Sequence, residues 1–179
     1  MSDLDNEVKP FGSLLMTARQ VQLTAGNLQA LGRWLAMKAC VLEHGYTAVI
    51  TNQTDRDKIR DGSIGNEWQF WIGCQDEIKT RRGFVRHVYA KEHTLLKPLG
   101  HTVRNKILYD TQLLVWRLGY LVVLGYFSRI IPIKFKDGTR PDFIQVVPAP
   151  LSIHWPPVRF ADRGTIRSLE TSAAAFFGL

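Results

Sequence analysis

The chain has 179 residues, 23 Lys+Arg against 16 Asp+Glu, a net charge of +7, 45% apolar and 11% aromatic residues. These proportions exclude wholesale disorder and predict one domain, with a helical part over 1–66 and a sheet part over 67–179. Two cysteines cannot make a disulfide framework. The longest apolar run, Leu113 to Phe127, is interrupted by Arg117 and is shorter than a membrane span. The acidic N-terminus has no apolar stretch of the secretory kind, so a cytoplasmic protein with no membrane association is expected.

Leu4, Val8, Phe11 and Leu15 recur at helical spacing and predict a helix over 3–17, which Pro10 should break or kink. Thr24 opens the clearest helix, with Asn27 as the alternative cap, and it runs to about residue 44. Leu28, Leu31, Leu35, Leu42 and Tyr46 make one stripe. Ala36, Met37, Cys40 and Val41 make much of the other side apolar, which predicts a buried central helix. Gly45 fits its end. Residues 46–66 are polar and turn-rich, with one short exposed helix over 55–61.

The remainder reads as a mostly antiparallel sheet over 67–155, so the fold class is α+β. Trp68, Phe70 and Ile72 alternate with Gln69, Trp71 and Gly73 in a strand ending near Cys74. Residues 83–90 and 102–109 form a hairpin with its tip at 97–100. Residues 111–127 are β-rich, with Gly119 and Gly125 marking bulges or a turn; a buried helix is the alternative. Short strands are expected over 130–136, 142–147 and 152–155. Asp162 is the candidate cap of a final short helix.

The charge is concentrated. Residues 79–106 carry Lys79, Arg81, Arg82, Arg86, Lys91, Lys97, Arg104 and Lys106 against one acid, Glu92. This local excess equals that of the whole chain. Such a field draws polyanions; a solvated hairpin whose charges keep an edge strand soluble is the equal alternative. Trp71 lies out of phase with the apolar face of its strand and is the candidate exposed ring for base stacking. The histidines in the segment, with Glu92, give a weak general-base pattern.

No phosphate-binding, dinucleotide, nucleophile-elbow or zinc-protease motif occurs, and no C-x-x-C. No catalytic residue, resident metal or cofactor is expected. Cys40 and His44, four apart on a helix, with Cys74 and His87, are weak metal-ligand candidates against the simpler reading of two core thiols. Lys38 sits on the apolar stripe with no carboxylate three or four residues away, so it should reach the domain edge or pair with Asp5 or Glu7.

Met1-Ser-x-Leu-x-x-Glu-x-x-Pro10, Trp34-x-x-x-Lys38-x-x-x-x-Glu43, Trp71-Ile-Gly73, the strand around Leu118-Gly119-Tyr-Leu and the closing Trp155-Pro-Pro157 resemble a group of uncharacterised bacterial and phage proteins. The longer members carry an N-terminal HNH-endonuclease-like zinc module ending in Cys-Asn-x-Gly-Trp-Met. This chain resembles the region after that module, so none of the module's ligands carries over. The resemblance implies a nucleic-acid context and singles out Lys38 and Glu43 as buried ion-pair candidates. The leading expectation is a non-catalytic protein that binds DNA, RNA or a nucleoprotein complex through the basic hairpin. A phage- or mobile-element-encoded inhibitor of the anti-CRISPR kind, acting on a host protein, and an HNH-related nuclease fragment are the alternatives.

Overall fold

The fold is read from a computed structural model that describes residues 3–45, 49–76, 85–91, 109–129 and 142–171, with side chains described outside 85–91, 109–111 and 169–171. Helix α1 (Asp3–Met16) buries Leu4, Val8, Phe11 and Leu15 along one stripe. It runs through Pro10 as one element, contrary to the expected break. The reason is local. Proline removes the N–H that would reach Asn6, and both residues are exposed, so water can satisfy the freed carbonyl.

Strand β1 (Val21–Thr24) leads directly into α2 (Ala25–Glu43). Thr24 and Asn27 are not alternative caps but the two halves of one capping box. The Asn27 N–H donates to Thr24 Oγ1 at 3.4 Å, and the Thr24 N–H donates to Asn27 Oδ1 at 3.0 Å. Helix α2 buries one broad face, including Leu28, Leu31, Leu35 and Ala39. Val41 stays largely exposed, so the helix is not apolar-covered all round. Helix α3 (Gln53–Arg60) is capped by Asn52 and buries Asp55 and Ile59 against its neighbours. It closes in a Schellman motif: the Gly62 N–H donates to the Ile59 carbonyl and the Ser63 N–H to the Lys58 carbonyl. Gly62 supplies the left-handed φ of +96° that this ending needs.

The main sheet contains β2 (Trp68–Cys74), β3 (Val85–Lys91), β4 (Tyr109–Leu118), β5 (Leu121–Ser128) and β6 (Phe143–Val147). Their order is β3-β4-β5-β2-β6, and every pair is antiparallel. Strand β7 (Ser152–Trp155) pairs with β1, from Val21 opposite Trp155 to Thr24 opposite Ser152. This is the expected α+β architecture of helices on an antiparallel sheet. Residues 111–127 are therefore strands, not a buried helix: β4 and β5 form a hairpin joined by Gly119-Tyr120. The partner of β3 needs correcting. It is 109–118, from Val85 opposite Trp116 to Lys91 opposite Tyr109, not 102–109. The expected strands over 102–108 and 130–136 lie outside the described residues.

Strand β5 is buried at every position, so both sheet faces are covered. Trp68, Phe70, Ile72, Leu114, Val123 and Phe127 pack on the side of α1 and α2. Trp71, Leu113, Val115, Val122, Leu124 and Tyr126 pack on the other side, with Phe143, Ala161 and Ile166. Helix α4 (Arg163–Thr171) follows Asp162, whose Oδ1 accepts from the Thr165 N–H at 2.7 Å. That backbone bond holds the Asp162 carboxyl below its ordinary value. Among the described residues, no helix is long and apolar enough to cross a membrane.

Candidate functional site

Strand β3 stands at one edge of the five-strand order and carries Arg86, His87 and Lys91. The chain between β3 and β4 carries Lys97, Arg104 and Lys106; these, with Lys79, Arg81 and Arg82, lie outside the described residues, as do the side chains of Arg86, His87 and Lys91. Trp71 has to be removed from the candidate surface. It is 5% exposed and belongs to the second core cluster. A residue out of phase on a strand faces solvent only when one sheet face is bare, and here both are filled.

Lys38 emerges at the junction of α1 and α2. Its Nζ lies 3.0 Å from Asp5 Oδ1, one of the two acids weighed for it. The Trp34 indole N–H donates to the same Asp5 oxygen at 2.8 Å, and the ammonium stands 5.4 Å from the Trp34 ring centroid. Trp34 in turn stacks on Trp116 of β4, centroids 5.5 Å apart and planes 5° from parallel. One carboxylate thus fixes a cation and an indole together, and the indole ties α2 to the sheet.

Glu43 is fully buried, and Thr51 holds it: the Thr51 N–H donates to its carboxylate at 3.2 Å and the Thr51 hydroxyl donates to the same oxygen. Among the described residues, no cation lies within ion-pair distance of Glu43. The ion pair nearby belongs to Asp55 and Arg129. Arg129 also donates to the Ile50 carbonyl at 3.0 Å and lies over Phe127, while Arg56 donates to the Thr51 carbonyl at 3.2 Å. Sequence reading missed Asp55 and Arg129, because a partner 74 residues away leaves no local spacing signal.

Cys40 and His44 do face one small cavity, of about 180 Å³, lined also by Met37, Val41, Arg56 and Ile59. Cys74 lies at the end of β2, where its thiol meets its own neighbour, the Gln75 carbonyl, at 3.8 Å. Among the described residues, no three His, Cys, Asp or Glu side chains gather around one point. Burial pushes both thiols up to about 11; at Cys40 the Thr51 hydroxyl opposes this and the Glu43 charge adds to it. Such thiols are neutral at pH 7 and poor nucleophiles. Two outcomes follow. The folded chain should resist iodoacetamide at pH 8. Its stability should also fall as the pH rises from about 9 to about 11, because unfolded thiols ionise near 9 while folded ones keep their protons. Urea midpoints at pH 8 and 10.5 check this. The loss, on the order of 2 kcal/mol per thiol at most, should shrink in the Cys40→Ala and Cys74→Ala variants.

A wider cleft, of about 580 Å³, opens between the first half of α2, the 62–66 loop, the start of β2 and the end of β6. Arg33 reaches it from the helix and Gln69 from the strand. Neither residue attracts notice in the sequence. No protein-family model, no curated protein and no solved structure matches the chain, so the reading of its sites rests on its own residues.

Proposed function

We propose that this chain is a non-catalytic, cytoplasmic protein that binds nucleic acid, or a nucleoprotein complex, through the basic segment 79–106. The observation that carries the reading is the charge distribution. Eight cations and one acid fall on an edge strand and the chain around it, while the charges of the rest of the chain cancel. Phosphates neutralised by such cations release condensed counterions, which makes affinity strong at low salt and weak at high salt. The resemblance to HNH-associated proteins supplies the same context, without a catalytic residue. Aromatic stacking by Trp71 forms no part of the proposal, which rests on phosphate contacts alone.

Fluorescence anisotropy with a labelled duplex and a labelled single strand, over 50 to 300 mM salt, tests it. Binding should weaken steeply with salt, with a log–log slope of about −4 if some five cations meet phosphates. Arg81→Glu with Arg82→Glu should weaken binding at least tenfold across all sequences and flatten the slope by about two. Arg60→Glu, an exposed change on α3, should leave binding within about twofold. Absence of binding at 50 mM salt, or binding indifferent to salt, would sink the reading.

A further inference from the structure

The cleft beside α2 has the makings of a small-molecule site. Its volume, about 580 Å³, lies in the range of enclosed ligand sites. Ile64 and Val147 give part of its wall an apolar surface, and Leu28 and Val146 are sealed behind it. Gly32 keeps α2 close to this wall, since a Cβ there would come within 2.5 Å of Val147 and 2.8 Å of Ile64. Polar groups share the lining about equally with apolar ones, and Arg33 on α2 stands on a different element from Asn66 and Gln69.

Arg33 is the cleft's cation. Its side chain is 23% exposed, and its nearest carboxylate, Glu7 of α1, stands 3.9 Å from Nη1, beyond hydrogen-bond distance. Its Nε is sealed from solvent and makes no hydrogen bond, so the exposed surface that remains is elsewhere on the side chain, including the terminal nitrogens. That long, solvent-exposed ion pair leaves the guanidinium able to take a hydrogen-bonded anion in competition with Glu7. Across the cleft, the Gln69 amide oxygen is also buried without a partner, and Asn66 adds a second carboxamide to the same wall.

We infer that this cleft binds a small monocarboxylate in which an amide links the carboxylate to an apolar group. N-acylated apolar amino acids have this chemistry, and so does the C-terminal residue of a peptide. The carboxylate pairs with the terminal nitrogens of Arg33. The amide meets the carboxamide of Asn66, and that of Gln69 once it turns its sealed oxygen toward the cleft. The apolar group covers Ile64 and Val147. One guanidinium balances one negative charge, which favours a carboxylate over a doubly charged phosphate.

Calorimetric titration of the full chain at low salt tests this with N-acetyl-leucine, its neutral amide N-acetyl-leucinamide, inorganic phosphate and acetyl-Gly-Gly-Leu. N-acetyl-leucine or the peptide should bind saturably at one site. The neutral amide should bind at least tenfold more weakly, and phosphate should not compete. Preference for the peptide assigns the site to chain termini; preference for N-acetyl-leucine assigns it to the free amino acid. Arg33→Gln should weaken binding at least tenfold. Glu7→Gln, which removes the competing carboxylate, should leave it equal or tighter. Ala149→Trp, at the exposed rim, should block the cleft and serves if Arg33→Gln does not fold. No saturable binding of either acid, equal binding of the neutral amide, or an undiminished folded Arg33→Gln variant overturns the assignment. Because none of these ligands is a nucleic acid, either outcome leaves the phosphate-binding proposal standing or falling by itself.

Discussion

Gly119→Ala should lower the unfolding free energy by about 3 kcal/mol, whereas Gly62→Ala should lower it by only about 1 kcal/mol. Both glycines have a left-handed φ, +61° at Gly119 and +96° at Gly62. Both substitutions therefore place an L residue in backbone space that disfavours it, for about 1 kcal/mol or somewhat more. The surroundings differ. A Cβ on Gly62 would meet nothing within 4 Å, because the end of α3 is open to solvent. A Cβ on Gly119 would run into the Met16 carbonyl, a backbone atom with no rotamer to escape by. That carbonyl is already held by the Tyr120 N–H at 2.9 Å, and the Gly119 carbonyl accepts from the Gln75 side chain. Relief requires moving α1 away from the β4–β5 turn, at about 1–3 kcal/mol for overpacking of this kind. Urea denaturation of both variants measures the difference. Equal losses would mean that the α1 contact has no weight. The result also bears on function, because β4 is the strand on which β3, with Arg86 and Lys91, is paired.

The helices were legible because their signals are local. Thr24 and Asn27 are three residues apart, and each satisfies the other's backbone N–H. The alternation in β2 gave its span. The sheet's two-sidedness was also written in the chain, though it was not used. Leu121 to Phe127 is apolar at both parities, the pattern of a strand buried on both faces. Applied to Trp71 on the neighbouring strand, that pattern would have put the ring in a core, not in solvent. Strand β1 went unread because four residues, the last of them the helix cap, carry almost no periodicity, and its pairing partner lies at the far end of the chain. The candidate sites divide in the same way. Lys38 stood out as a cation on an apolar stripe, and a short choice of acids contained Asp5. Arg33 did not stand out, because what distinguishes it is a cleft formed by α2, the 62–66 loop and two strands, which only the fold assembles.

Glu43→Ala should cost about 3 kcal/mol, and Glu43→Gln about 1 kcal/mol. The carboxylate is fully buried at the last residue of α2, where the helix dipole disfavours negative charge. Thr51 makes the position tolerable by donating both its backbone N–H and its hydroxyl. Alanine leaves these two buried donors without an acceptor, each at about 1–2 kcal/mol. Glutamine keeps one acceptor oxygen in nearly the same place, so it should lose less. The loss should spread outward, since Arg56 and Arg129 both grip the backbone at Thr51 and Ile50, and Arg129 also holds Asp55. A double-mutant cycle with Thr51→Val should therefore return a coupling of at least about 1 kcal/mol. A Glu43→Ala variant within about 0.5 kcal/mol of the parent would show that the buried carboxylate has no structural weight. The thiol gives a second readout. The Glu43 charge helps raise Cys40 to about 11, so Glu43→Gln should let that thiol ionise at a lower pH while Cys74, whose rise comes from burial alone, keeps its own titration. Thiolate absorbance in the single-cysteine variants separates the two. A fall at Cys40 with Cys74 unmoved marks a local electrostatic effect, and a fall at both marks general loosening of the core.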